Sequence, residues 1–148
     1  MCGPAGSGKS TYARSLEAGG FVRLSLDEAA WAAGHRAQPL PETIRSRLER
    51  DLRRRLVELV EAGSDVVLDL SFWSRGMRAE YRKLLSPFGV VPETVYLATP
   101  RSVALQRVAH RDGSTPNDVR LDVETAALYY DHFEPPTSDE GPLTVLSP

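Results

Sequence analysis

Cysteine is almost absent: Cys2 is the only one in 148 residues. That excludes an internal disulfide framework and a structural zinc site built on several cysteines. Long apolar runs are missing as well. The most core-like stretches, Val66-Val67-Leu68 and Val95-Tyr96-Leu97, fall far short of a membrane span. Glycine and lysine stand where the apolar region of a secretory signal would be, so no such signal is expected. There is no large excess of charge of one sign. Lys+Arg number 18 and Asp+Glu 20, a net charge of -2, which gives no global field to attract nucleic acid. His35, His110 and His132 lack metal-ligand spacing, and no Gly-x-Ser-x-Gly elbow occurs. A guanine-pocket Asn-Lys-x-Asp and an Asp-x-x-Gly switch are also absent, which argues against a regulatory GTPase. With 41% hydrophobic and 26% charged residues, what remains is one folded α/β domain over residues 1–148. Its expected setting is the cytoplasm, as a monomer or homodimer, with neither membrane nor nucleic acid as partner.

The first ten residues carry the strongest motif. Gly3-Pro4-Ala5-Gly6-Ser7-Gly8-Lys9-Ser10 fits G-x-x-x-x-G-K-[ST], the phosphate-binding P-loop. Glycines let the backbone curl so that its N–H groups point at phosphate oxygens. A helix starting near Gly8 adds its positive end at the same place. Gly3 to Ser10 and the following Thr11 are therefore expected to hold ATP. Lys9 supplies a mobile charge for the β- and γ-phosphates, and the Ser10 hydroxyl is a magnesium ligand. The plain alternative is a glycine-rich turn that happens to end in Lys-Ser. A P-loop ordinarily follows a buried central strand, yet only Met1-Cys2 precede this one. The expectation is a first strand largely missing, its true start upstream, or a very short central strand.

Alternation of strand and helix patterns predicts a parallel sheet covered on both faces. Strands are expected at Phe21–Leu26, Asp65–Leu70, Thr94–Ala98 and Leu143–Leu146, with helices between them. Ile44, Leu48, Leu52, Leu56 and Leu59 recur at helical spacing and mark the buried stripe of a long helix from about Pro41 to Ala62. Further helices are predicted over Ser74–Ser86, from Pro100 to about Arg111, and over Val119–His132. Six arginines lie between Arg45 and Arg55. They could form a nucleic-acid stripe, but the i,i+4 pairs Glu49–Arg53 and Asp51–Arg55 suit a salt-bridged outer face better.

In open α/β sheets the site lies beyond the carboxyl ends of the strands. Asp27 and Asp69 both end predicted strands. Asp69, in Val66-Val67-Leu68-Asp69, has the context of a magnesium-holding carboxylate. Asp27 is then free to take a proton from an attacking hydroxyl. Each could instead be a helix cap. Leu24-Ser25-Leu26-Asp27-Glu28 also reads as an Asp-Glu magnesium motif of remodelling machines, but it comes only seventeen residues after Ser10.

Arginines neutralise the oxygens of a moving phosphoryl group. Arg107 and Arg111 lie four apart on one helix face beside a flexible loop, the pattern of a lid over ATP near residues 101–132. Arg75 and Arg78 begin a helix just after Asp69 and are candidates for the same edge. The acceptor is expected between the Asp27–Pro41 segment and the start of that helix. Trp31, His35 and Arg36 follow Asp27 closely, and Trp73 approaches from the Asp69 side, a mixture that suits a polar organic molecule. Either tryptophan could equally be a packing residue.

Together the P-loop, Asp27, the Val-Val-Leu-Asp-Leu-Ser-Phe segment, Arg78 and Arg107-x-x-x-Arg111 resemble the small P-loop kinases grouped as AAA family ATPases or predicted kinases. That group is similar to chloramphenicol phosphotransferase, the zeta toxins and the kinase domain of polynucleotide kinase. The resemblance implies a P-loop NTPase-type three-layer fold with strand order 2-3-1-4-5. It implies Asp27 as the base and Arg107 and Arg111 as lid residues, with ATP and Mg2+ as cofactors. The implied reaction is γ-phosphate transfer to a hydroxyl of a small-molecule acceptor. A regulatory nucleotide-binding module and a polynucleotide 5′-hydroxyl kinase are the other readings.

Overall fold

Short β-branched segments alternate with amphipathic helices, and the chain folds accordingly. A computed structural model describes residues 1–36 and 38–147. Helix α1 (Lys9–Ala18) starts at Gly8, whose φ of 98° places it in the left-handed region. It is followed by β1 (Val22–Ser25) and α2 (Leu26–Ala32). Helix α3 (Glu42–Glu61) leads into β2 (Val66–Asp69) and α4 (Arg75–Leu85). Then come β3 (Thr94–Leu97), α5 (Arg101–Ala109), α6 (Val123–Asp131) and β4 (Leu143–Leu146). Side chains of Ser25, Ser74 and Asp122 cap α2, α4 and α6 by accepting from the N–H groups of Glu28, Met77 and Thr125.

Three boundaries that bear on the site differ from the sequence expectation; one is the end of α5 at Ala109, which leaves Arg111 past the helix rather than on one helix face with Arg107. The first strand ends at Ser25, so Asp27 sits in the first turn of α2 rather than at a strand end. Ser25 takes the capping role, which leaves the Asp27 carboxylate unspent on the helix. The last helix begins at Val123 rather than Val119, because Asp122 caps it there while the Val119 carbonyl accepts from Arg111.

Strands pair as β1–β2 and β3–β4, both parallel. The register of the first pair sets Val22 opposite Val66 and Ser25 opposite Asp69. Residues Met1–Gly3 join the two pairs. The Met1 and Gly3 nitrogens donate to Leu68 O (2.7 Å) and Ser71 O (3.2 Å). On the other side Cys2 N donates to Val95 O (2.8 Å) and Leu97 N donates to Cys2 O (3.0 Å). Counting Met1–Gly3 as the first strand position, the order is 2-3-1-4-5, as the resemblance implied. Behind this short segment, between β2 and β3, lies a cavity of about 650 Å³ lined by Val66, Leu68, Thr94 and Val95 among others.

One core cluster lies on the α3 and α4 side of the sheet, around Leu52, Leu56, Leu70, Phe72, Tyr81 and Leu85. The other lies under α1, around Met1, Ala13, Val67 and Leu97. Leu48, Leu52, Leu56 and Leu59 are buried as their spacing predicts, while Ile44 is only half-buried. Each fully buried leucine contributes roughly 1.5–3 kcal/mol. The arginines of α3 are surface groups, but not in the expected pairs. Arg45 meets Glu49, Arg54 meets Asp51, Arg55 meets Glu58, and Arg53 reaches across to Glu80 on α4.

A buried ion pair ties the segment before β4 to α4. Arg78 donates from Nε and Nη2 to the two oxygens of Glu140 at 2.7 and 2.8 Å. Both side chains are at most 3% exposed. The hydrogen bonds from Arg78, working against burial, pull the Glu140 carboxyl down from 4.5 to about 2. Its stabilising contribution is therefore complete above pH 4.5 and lost as pH falls from there towards 2. Glu140→Gln should cost about 3–5 kcal/mol by leaving Arg78 buried without its counter-charge. Urea unfolding checks this: the gap between the variant and the wild type should be widest at neutral pH and close on acidification through that window.

Candidate active site

The P-loop wraps from β-sheet to α1 over Gly3 to Ser10. Gly6 has a φ of 79°, and a Cβ there would overlap the Ala104 carbonyl of α5, so only glycine fits. Ser7 is buried beneath the loop, and Thr99 Oγ1 donates to its carbonyl at 2.8 Å. Lys9 Nζ donates to the Pro4 carbonyl at 2.9 Å, which folds the ammonium over the loop. Loss of hydration pulls the Lys9 ammonium from 10.5 to about 8, opposed by the charges of Asp69 and Asp27.

Ser10, in the first turn of α1, donates from Oγ to Asp69 Oδ1 at 3.2 Å. Asp69 is the last residue of β2 and is buried. A hydroxyl and a carboxylate set side by side at the loop form the oxygen donor set that a magnesium ion takes. The sequence reading paired the same two residues, 59 positions apart.

Asp27 faces this group from α2. Burial raises its carboxyl above the usual range, the Lys9 charge opposes that, and Arg111 also acts on it. Gln38 Nε2 donates to Asp27 Oδ1 at 3.2 Å. Among the described residues no ion pair closes on Asp27. Arg107 Nη1 donates to the Gly6 carbonyl at 3.3 Å, which seats it on the P-loop. Arg111 is half-buried and donates to the Val119 carbonyl, near enough for its charge to act on both Lys9 and Asp27. The turn Pro116–Asp118 after α5 packs against α2. The segment expected as a lid therefore spans the P-loop and the Asp27 helix.

On the acceptor side the placements are mixed. Trp31 and His35 are half-buried at the end of α2, and His35 N donates to the Ala30 carbonyl. The Arg36 guanidinium lies 3.9 Å from the Trp31 ring centroid and also donates to the Trp31 carbonyl. That stacking occupies the aromatic face the sequence offered to an acceptor. Residue 37, inside the same segment, and residue 148 lie outside the described residues.

Arg75, Arg78 and Trp73, expected at the site edge, all make contacts with the 134–140 segment instead. Arg78 is buried against Glu140, Phe72 O and Glu134 O. Arg75 pairs with Asp139 at 2.6 Å, and its N–H donates to Glu134 Oε2. Trp73 is 47% exposed, and its carbonyl accepts from Glu134 N. All three belong to the seam between α4 and the 134–140 segment. Spacing after Asp69 could not reveal that acidic partner because it comes some 60 residues later in the chain.

The sequence reading also missed Arg23. It lies in β1, and its side chain is 3% exposed. Its Nη1 donates to Asp69 Oδ2 at 2.9 Å. Nothing in the local pattern marks it; only the β1–β2 register brings it beside Asp69.

This arrangement has relatives. The AAA domain family profile matches residues 1–136. The chain is 30% identical over 134 residues to a cytidylate kinase from Halobacterium salinarum, spanning 84% of this chain and 63% of that protein. It is 32% identical over 146 residues to a cytidylate kinase from Natronomonas pharaonis, spanning 90% of this chain and 70% of that protein. Among solved structures it superposes on a candidate kinase from Chloroflexus aurantiacus with a TM-score of 0.78 at 17% identity, covering 99% of this chain and 84% of the other. A gluconokinase from Sinorhizobium meliloti gives a TM-score of 0.64 at 22% identity, covering 99% of this chain and 79% of the other. These structural likenesses establish the P-loop fold. With the profile spanning most of its length, the chain belongs to the AAA domain family, in the group of small P-loop kinases.

Proposed function

We propose that the chain transfers the γ-phosphate of ATP, with magnesium, to a hydroxyl of a small-molecule acceptor. The observation that carries this is Asp27: a part-buried carboxylate, free of ion pairs among the described residues, beside Lys9 and Arg111. Burial raises its proton affinity, which makes it a better base than a surface carboxylate.

The P-loop N–H groups and Lys9 hold the β- and γ-phosphates in this reading. Ser10 and Asp69 would hold magnesium, which when bound would add neutralisation of the phosphate oxygens. As the acceptor oxygen attacks the γ-phosphorus, its proton passes to an Asp27 carboxylate oxygen. The bond from γ-phosphorus to the bridging oxygen breaks, and its electron pair leaves on ADP. Arg107 and Arg111 balance the charge that spreads over the moving group. Asp27 then releases the proton to water. Trp31, His35 and Arg36 stand on the acceptor side of that carboxylate.

The named relatives favour a second reading. Cytidylate kinases point to a phosphate acceptor, which is already anionic and needs no base. It needs fixed cations instead, yet Arg45 is paired with Glu49 and Arg36 is stacked on Trp31. A nucleotide-binding module without transfer, or a 5′-kinase of polynucleotides, would show other signs. The first would release no ADP above the water background with any acceptor, and the second would bind with a steep salt dependence.

Asp27→Asn should lower kcat by about 10²–10⁴-fold and leave the ADP dissociation constant within twofold. The check is ADP release with polyols, nucleosides and cytidine monophosphate as acceptors, alongside calorimetry of ADP. An undiminished rate with the monophosphate would favour the phosphate acceptor. Lys9 adds a pH signature. With its free ammonium at about 8, bound phosphates should raise it, so ADP binding takes up a proton near pH 8.5 and weakens as pH rises further. Calorimetry in two buffers of different ionisation heat measures that uptake, and Lys9→Met should abolish it.

A further inference from the structure

Arg23 is an unusual residue for its place. Among the described residues β1 pairs on one side only, with β2, yet this guanidinium in it is just 3% exposed. It spends its donors on three carboxylates from three elements. Nε donates to Glu17 Oε2 at 3.0 Å, at the end of α1. Nη2 donates to Glu28 Oε1, in the first turn of α2. Nη1 donates to Asp69 Oδ2 at 2.9 Å, at the end of β2.

Charge balance alone does not call for this arrangement, since Glu17 and Glu28 already outweigh one guanidinium. Those two side chains are 47% and 40% exposed, and they grip the planar fork from the α1 and α2 sides. A guanidinium held at two corners presents its third to Asp69 in a fixed direction. Asp69 Oδ2 is thereby engaged. Oδ1 is the oxygen that turns to Ser10 Oγ, 3.2 Å away. Without Arg23 the buried carboxylate would be steered by one hydroxyl only.

We propose that Arg23 is a positioning residue for the magnesium-binding pair Ser10 and Asp69, with Glu17 and Glu28 as the brace that orients it. This rests on the nucleotide–magnesium reading above, and on no assumption about the acceptor. The orienting partners of metal ligands typically change metal affinity by about 10–100-fold when removed.

The test uses ADP as the probe and needs no turnover. Calorimetry gives the ADP dissociation constant in EDTA and over a series of free Mg2+ concentrations. It is run for the wild type, Arg23→Met, Arg23→Lys and the double variant Glu17→Gln/Glu28→Gln, each checked for folding by circular dichroism. In the wild type, Mg2+ should tighten ADP binding. In Arg23→Met that Mg2+-dependent gain should shrink about tenfold, while the affinity in EDTA stays within about twofold. Arg23→Lys keeps the charge without the fork and should fall between. The double variant alters only half-exposed carboxylates that do not touch the nucleotide, and it should also lose part of the gain. It carries the test should Arg23→Met not fold. An undiminished or larger Mg2+ gain in Arg23→Met, or in the double variant where Arg23→Met does not fold, overturns the proposal. Absence of any Mg2+ gain in the wild type overturns the nucleotide–magnesium reading itself, and this inference with it.

Discussion

Everything in this molecule depends on the backbone of Met1–Gly3. Its hydrogen bonds to Leu68, Ser71, Val95 and Leu97 join two strand pairs that have a cavity between them. The same segment launches the P-loop, so the sheet and the phosphate cradle share one anchor. Gly3 shows how tight that anchor is: a Cβ there would stand 2.7 Å from Ser7 Oγ and 3.1 Å from the Leu97 carbonyl. The positive φ values of Gly3, Gly6 and Gly8 let the chain turn from sheet into α1 within a few residues.

From that anchor the site assembles as alternating charges. Lys9 leans over the loop, Asp69 lies at the end of β2, Asp27 lies in α2, and Arg111 comes in from beyond α5. Burial disfavours the charge on Lys9 and on Asp27, and each lessens that cost for the other. The low-dielectric setting that strengthens these attractions also makes an unpartnered charge expensive. Arg23 fits the same pattern, since a buried cation persists only where carboxylates surround it.

A second set of arginines solves a different problem. Arg75, Arg78 and Arg82 draw the 134–140 segment onto α4 through Asp139 and Glu140. That contact sets the approach of the chain to β4 and so completes the sheet on the β3 side. Arg78 and Arg111 are the same residue type, yet one is a buried strut within α4 and the other, past the end of α5, lies beside the base candidate. What separates them is the neighbour that folding brings up: an acidic segment for Arg78, and the open P-loop edge for Arg111.

Local information sufficed for much of this. The P-loop is legible because its glycines, lysine and serine act within ten consecutive residues, and their backbone geometry is a local property. The α3 stripe, the strands and the parallel sheet follow from periodicity, which records burial directly. Asp69 and Asp27 were legible as candidates because the end of β2 and the turn just past the end of β1 lie at one edge of such a sheet. The end of β1 and the start of α6 turned on single capping side chains, Ser25 and Asp122. The strut role of Arg78, the covering of Trp31 by Arg36, and the place of Arg23 beside Asp69 were decided only in three dimensions. Each depends on which side chain arrives from a distant or folded-back part of the chain. Sequence spacing does not encode that arrival, because packing and strand register bring it about.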